Sequence, residues 1–325
     1  MKRSDIAAVW DPPSNYNAGF IVVKPTLFSF RVYKMTRDIT SKSKVTNDQW
    51  ALNAAIRSLT TQKNGVNATF LDKHVFMNGN GYFERMRRLL PRAEDTCSLI
   101  NKINCSVLVV HNNWIYSSEA KIYRFREHLL WWYDGDNQYY SNKTRKYLTY
   151  INLAPTGSRI SESEKKQRQL LALRTALSIG HLLNRAVILP KFYCSTKAFQ
   201  CPLNSLVHIK TFDAVFANQY RESSFLQHPR IPDNVKHNVS YHQLVLHTTR
   251  TSSAREVVTI STNDIVKLFQ YSQDKVINFG ILDKIEVKFK NDFSDTAFNK
   301  KIRKAFKLSD YRQKKVSEYR LPEFS

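Results

Sequence analysis

At 325 residues, with 42% hydrophobic and 12% aromatic side chains, the chain can fill one large core or two medium ones and is too apolar for disorder. Lys and Arg number 50 against 27 Asp and Glu, and the resulting +23 favours an anionic partner: nucleic acid, a membrane surface, an acidic glycan or a nucleotide's phosphates. No apolar run approaches the ~20 residues that span a bilayer, no zinc-finger spacing accompanies the charge, and MKRSDIAAVWDPP lacks a secretory pattern.

In chain order, NAGFIVVKP (17–25) predicts a strand, with four successive apolar residues and a closing proline. TNDQWALNAAIRSL (46–59) predicts a helix, because Leu52, Ala55, Ile56 and Leu59 share one face, and Thr46 with Gln49 fits a capping box. HVFMNGNGYF (74–83) predicts a strand, a tight Asn-Gly turn and a return. CSVLVV (105–110) predicts a buried strand, followed by a helix from about Ser118 to Trp132. This alternation points to an α/β layer structure.

At NLAPTGSRISESEKKQ (152–167) the composition turns to proline, glycine, serine and charge, which places the expected domain boundary there, with domains 1–153 and 154–325. A long helix, Glu164 to about Leu183, then carries a wide apolar face of Leu170, Leu171, Leu173, Leu177, Ile179 and Leu182, and feeds a strand at AVILP (186–190). That helix–strand step fits a second, smaller α/β domain. DAVFA (213–217) and VVTIS (257–261) are weaker strand candidates, and a Lys-rich tail closes the chain. The basic clusters RMRRLLPR (85–92), EKKQRQ (164–169) and NKKIRKAFK (299–307) all have apolar or acidic interruptions, unlike a disordered basic arm.

Several residues can carry chemistry. His111, Asn112 and Asn113 follow a strand, where an open α/β sheet binds its ligands; the imidazole can ligate a metal, or all three can form a turn. Gly19 would let a ligand approach the backbone, while Asp48 and Gln49 open a helix and suit an ordinary helix start. Asp-Gly-Asp (134–136) can chelate a metal or simply turn the chain. Cys97, Cys105, Cys194 and Cys201 form two local pairs without a CxxC, so zinc is not expected and disulfides remain open. Sequons stand at Asn67, Asn104, Asn142 and Asn238, close to the number that chance gives in a chain so rich in asparagine.

Taken in order, NAGFIVVKPT, DQWALNAAI, VFMNGNGYF and VVHNNWIYSSEAKIYRFREHLLW resemble the nucleotide-diphospho-sugar transferase family, which includes plant cell-wall arabinosyl- and xylosyltransferases. The resemblance covers about residues 4 to 150. It implies an incomplete GT-A type (Rossmann-like) α/β sheet, a UDP-sugar donor, a glycan or glycoprotein acceptor, a divalent cation (usually manganese), retention of anomeric configuration and a Golgi location. It makes His111 a metal ligand. Asn17, Ala18 and Gly19 would line the donor-sugar and acceptor cleft, and Asp48 and Gln49 would face the reacting carbon. Asn112 and Lys121 would contact the donor or its phosphates.

RTALSIGHLLNRAVILPKFYC followed by CPLNSLVHI resembles the carboxy-terminal region of some members, which implies a Cys194–Cys201 disulfide. Members carry an Asp-x-Asp just before the segment equivalent to SDIAAV (4–9). This chain is therefore expected to start after that half-site and after any membrane anchor. A non-catalytic carbohydrate- or nucleotide-sugar-binding relative is one alternative. A basic protein that binds nucleic acid or anionic membrane is another, although no nucleic-acid partner is expected from the motifs.

Overall fold

A computed structural model describes residues 4–42, 47–62, 65–83, 107–152, 161–193, 200–244, 257–289, 296–298 and 300–306. The chain divides into two compact units, Met1–Tyr116 and Ser117–Ser325. The division therefore falls well before the 153/154 boundary expected from composition, and the second unit is the larger. The reason lies in the strand at Tyr147–Ile151, which pairs on both sides with later strands and so belongs to the second core.

In the first unit, β1 (Ile6–Asp11) pairs antiparallel with β2 (Asn15–Val23) and parallel with β3 (Ala68–Phe70). As the central strand, β1 buries both faces: Ile6, Ala7, Ala8 and Val9 are almost wholly inaccessible. Helices α1 (Leu27–Lys42) and α2 (Asp48–Thr60) pack together beside it. Leu52, Ala55, Ile56 and Leu59 are buried as their spacing predicts, against Ile6, Val32 and Val66. Each large apolar side chain there stabilises the unit by about 1.5–3 kcal/mol.

The start of α2 differs from the expected capping box. Asn47 is the N-cap, its side chain accepting from Gln49 N and Trp50 N, and Thr46 lies outside the described residues. The Gln49 side chain is thereby left to reach elsewhere.

β4 (Phe76–Asn78) and β5 (Val109–His111) form a separate parallel pair with Asn78 opposite His111. The expected hairpin at Asn78–Gly79 is absent. Residues 79–83 are helical, because Asn78 Oδ1 accepts Gly81 N at 2.7 Å and caps a helix instead of turning a strand. Nor is β5 a buried strand: its three residues are half-buried and Leu108 is exposed. Of the first expected cysteine pair, Cys97 and Cys105, both lie outside the described residues.

The second unit opens with α3 (Ser118–Glu127), which stops five residues short of the expected Trp132. The backbone breaks at Leu129 with φ of 57°, and this turns Trp131 onto the aromatic core of Tyr139, Tyr140, Tyr147 and Phe225. Asp134 acts as a turn residue. Its Oδ1 accepts from the backbone of Tyr140 and Ser141, its Oδ2 holds the Ser141 hydroxyl, and Gly135 takes positive φ.

The remaining strands are β6 (Tyr147–Ile151), β7 (Ala186–Ile188), β8 (Phe192–Tyr193), β9 (Gln200–Cys201), β10 (Tyr220–Arg221), β11 (Val239–Tyr241), β12 (Val258–Ser261), β13 (Val276–Ile281) and β14 (Ile285–Lys288). Five of them make a parallel sheet in the order β10-β7-β6-β13-β11. The long helix α4 (Glu162–Leu182) joins β6 to β7 and packs on both, burying Leu173, Leu177 and Ile179.

DAVFA, expected as a strand, falls in α5 (Ile209–Phe216). His208 caps this helix at Thr211 N, and Ile209, Phe212 and Phe216 are buried at helical spacing. α6 (Asp233–Lys236) and α7 (Thr262–Phe269) follow. The tail is helical over 300–306, with Ile302 and Ala305 buried.

Between α3 and β10 the core is charged. Tyr139 Oη donates to Glu222 Oε2 at 2.8 Å, and the Arg126 and Arg221 guanidiniums lie 3.6 and 4.0 Å from the Tyr139 ring centre. Burial, then the neighbouring Glu222 charge, pushes Glu127 up to about 8, while burial, then Arg124, pushes His128 down to about 4.

The two shifts oppose each other. Glu127, protonated when folded and ionised when unfolded, removes stability as pH rises from 4.5 to about 8. His128, neutral when folded, removes stability as pH falls from 6.5 to about 4. Their effects offset each other between 4.5 and 6.5, and Glu222, also pushed up by burial, adds to the loss at rising pH, so denaturant melts should decline more steeply above 6.5 than between 4.5 and 6.5. Glu127→Gln should flatten the alkaline limb, which amounts to on the order of 2 kcal/mol once the water that reaches this side chain is allowed for. An alkaline limb left unchanged by the substitution would assign it to another group.

Candidate active site at the carboxyl end of β1

β1 ends in Asp11, buried and followed directly by two prolines. Its carboxylate collects three neutral donors from distant parts of the chain. Oδ1 accepts from Trp114 Nε1 at 2.8 Å and from Asn113 Nδ2 at 3.2 Å, and Oδ2 accepts from Gln49 Nε2 at 3.1 Å. Hydrogen bonds to an ionised acceptor are about twice as strong as neutral ones. This carboxylate therefore ties α2 and the segment after β5 to the end of β1.

The amides it orders continue outward. Gln49 Oε1 accepts Ala18 N at 3.3 Å, so one side chain bridges Asp11 and β2. Asn113 Oδ1 accepts Gly79 N at 2.7 Å, while Asn78 Nδ2 donates to Trp10 O at 3.1 Å. Asn17 is buried and its Oδ1 accepts Gly19 N at 2.8 Å. Asn53 secures the same strand, accepting Tyr16 N at 2.8 Å and donating to Tyr16 O at 2.7 Å.

The His111 ring lies over Gly19. A Cβ at Gly19 would stand 2.1 Å from His111 Cε1 and 2.3 Å from Nε2, so glycine is the residue that leaves room for the imidazole. His111 stands at the carboxyl end of β5 and the Asn113 N–H donates to its carbonyl at 2.8 Å. Asn112 beside it is buried.

Of the residues expected from sequence, Asn17, Ala18, Gly19, Gln49, His111 and Asn112 all belong to the first unit, and the first five of them take part in these contacts. Asp48 stands exposed in the first turn of α2, where its Oδ1 accepts Gln49 N at 2.8 Å; the Gln49 side chain, not that of Asp48, reaches Asp11. Lys121 is exposed on α3 of the second unit. Asp11, Asn53, Asn78 and Trp114 were not expected. Asp11 alone had a legible signal, as an acid that ends an apolar run immediately before Pro-Pro.

No group of three or more His, Cys, Asp or Glu is gathered among the described residues in the way a metal ion needs. His111 is a single imidazole, and Asp11 has both oxygens engaged by neutral donors. The described residues thus do not by themselves form the manganese site that the resemblance implies. What they do offer is amides and one imidazole seated over a glycine, groups of a kind suited to hydrogen-bonding a polyhydroxyl ligand.

Comparison with curated proteins and with solved structures gave no match. Comparison with protein families did: residues 3–125 match the model described as nucleotide-diphospho-sugar transferase. The match contains the whole network around Asp11 and ends within α3. By it, this amino-terminal part of the chain is similar to the nucleotide-diphospho-sugar transferase family, and the match supports that family for the chain.

Proposed function

We propose that the chain transfers a sugar from a UDP-sugar to a glycan or glycoprotein acceptor with retention of configuration, in the Golgi, as its resemblance to the plant arabinosyl- and xylosyltransferases implies. The observation that supports this best is the His111 ring seated over Gly19 on a strand that Gln49 links to Asp11.

In glycosyl transfer the nucleoside diphosphate leaves as an anion and the sugar passes through an oxocarbenium-like state. Preorganised dipoles act where charge develops, because they need no reorganisation during the reaction. Gln49, held at both ends of its amide, is such a dipole, and with Asp48 it is proposed to face the reacting carbon. Asn17, Ala18 and Gly19 line the donor-sugar and acceptor cleft in this reading. Asn112 and Lys121 contact the donor and its phosphates. His111 is proposed as one ligand of a divalent cation, taken to be manganese, whose other ligands are not among the described residues.

A second reading, nucleotide-sugar binding without turnover, is favoured by one feature. Asp11, the buried carboxylate of the site, is engaged through both oxygens in holding Gln49, Asn113 and Trp114. It acts as a positioning residue. Turnover with a panel of UDP-sugars separates the two readings.

His111→Ala should weaken manganese-dependent UDP binding at least about tenfold by calorimetry. Unchanged binding, in a protein that otherwise binds UDP, would remove His111 from the site. Gly19→Ala should act in the same direction, since its methyl would displace the ring.

Asp11→Asn puts an amide donor among three donors. It should destabilise the first unit by about 1–3 kcal/mol in a denaturant melt and lower UDP binding with it. Asp48→Asn should leave that stability within about 0.5 kcal/mol, as expected of an exposed position.

A further inference from the structure

The second unit carries its own polar cavity, of about 720 Å³, at the amino-terminal edge of the parallel sheet. Strand register builds it. Tyr147 pairs with Ala186 and Val187 with Tyr220, so the residues just before three neighbouring strands come together: Arg145 and Lys146 before β6, Asn184 and Arg185 before β7, Gln219 before β10. Asn142, Thr144 and His181 complete the hydrophilic wall, and among the described residues no Asp or Glu lines it.

The cations there are crowded. Burial lowers the Arg145 pKa first, and the like charge of Arg221 lowers it further; burial likewise lowers Arg185. Their known partners are mostly neutral carbonyls. Arg185 Nη1 donates to Asp274 O at 2.7 Å and Nη2 to Ser272 O at 3.1 Å, Lys146 Nζ donates to Ser272 O at 2.7 Å, and Arg145 reaches Asn218 O.

One carboxylate does temper Arg185. It is Asp274, which lies outside the cavity wall and accepts the Ser272 hydroxyl at 2.8 Å. The end of α4 does not oppose an anion strongly, since the Gly180 and His181 carbonyls already accept Arg185 N and Asn184 N at 2.8 and 3.3 Å. Three guanidinium or ammonium groups are thus held in place by dipoles, without a matching set of acids among the described residues.

An oxyanion would relieve this crowding by charge-assisted hydrogen bonds, and the amides of Asn184 and Gln219 suit hydroxyl groups, with Asn142 offering only its NH2 because its Oδ1 already accepts from Thr144 and Arg145. We propose that this cavity binds a sugar that carries an oxyanion, whether phosphate, sulfate or carboxylate. The site belongs wholly to the second unit, so it does not depend on the reading of His111.

Calorimetry on the full chain with glucose 6-phosphate, glucuronate, inorganic phosphate and glucose tests it. Glucose 6-phosphate and glucuronate should bind, inorganic phosphate about tenfold more weakly and glucose not at all. Arg145→Gln with Lys146→Gln should lower the affinity for glucose 6-phosphate at least about tenfold. Lys267→Gln with Lys288→Gln, which removes the same charge from exposed positions, should change it less than about twofold. His111→Ala should retain the binding.

Equal losses in the two double variants would mean attraction to diffuse charge and overturn the proposal. Inorganic phosphate binding as tightly as glucose 6-phosphate would overturn its sugar half, and loss in His111→Ala would move the site to the first unit. If Arg145→Gln with Lys146→Gln does not fold, the exposed Gln219→Ala replaces it. That variant should bring glucose 6-phosphate down towards inorganic phosphate, and no change there counts against the cavity.

Discussion

A buried carboxylate that takes its hydrogen bonds from neutral groups alone is the constraint on which the first unit's site depends. Water solvates an exposed Asp from all sides, whereas a buried one must find donors or give up its charge. Asp11 finds an indole, a carboxamide from the segment after β5 and a carboxamide from α2. None of these donors is near it in sequence, so its demand for partners is also a demand that three segments converge. The order of the site follows from that convergence. Gln49 can reach Ala18 because its nitrogen is fixed by Asp11, and Asn113 can reach Gly79 because its own nitrogen is fixed by the same oxygen that holds Trp114.

The use of Asn and Gln throughout this region has a physical consequence. A carboxamide both donates and accepts, so a chain of them propagates orientation without adding charge. The site therefore stays polar and near neutral around one carboxylate, although the chain as a whole carries +23. Such a surrounding is of a kind that suits hydroxyl groups in fixed directions, and among the described residues it carries no cation of its own.

The sequence made part of this legible. The apolar spacing of α2 identified Leu52, Ala55, Ile56 and Leu59, because helix periodicity is a local property. The motif order led to His111, Gly19 and Gln49. It could not show that Gly19 is glycine to admit the His111 ring, since 91 intervening residues hide that contact. Asn78–Gly79 misled for a related reason. The same pair turns a hairpin or caps a helix, and the choice is made by Asn78 bonding Gly81 N and by β4 pairing in parallel with β5. DAVFA read as a strand because five residues are too few to reveal the Ile209, Phe212, Phe216 face that makes it helical. The unit boundary was hidden in the same way: a Pro, Gly and Ser stretch marks a connection, whether it joins two domains or a strand to its crossover helix.

Net charge was the least transparent of the sequence features, and the structure shows why. Composition counts every Arg equally, but their fields differ with their surroundings. Arg126 and Arg221 lie against the Tyr139 ring near Glu222, where the aromatic face and the carboxyl group absorb much of their charge. Arg168 is paired with Glu164 at 2.8 Å. Arg185, by contrast, is buried among carbonyl oxygens, which orient a cation without neutralising it. A strand start is where such a residue is useful, because it satisfies the loop carbonyls that the parallel ladder leaves over. Several strands starting at one edge then concentrate charge there without any requirement from a ligand. Specific recognition has to come from what stands among the cations. At this edge those neighbours are Asn142, Asn184 and Gln219, and among the described residues no acid lines the wall to quench them. That combination is what points to a ligand, since cations alone would attract any anion and amides alone would bind water as readily as a sugar.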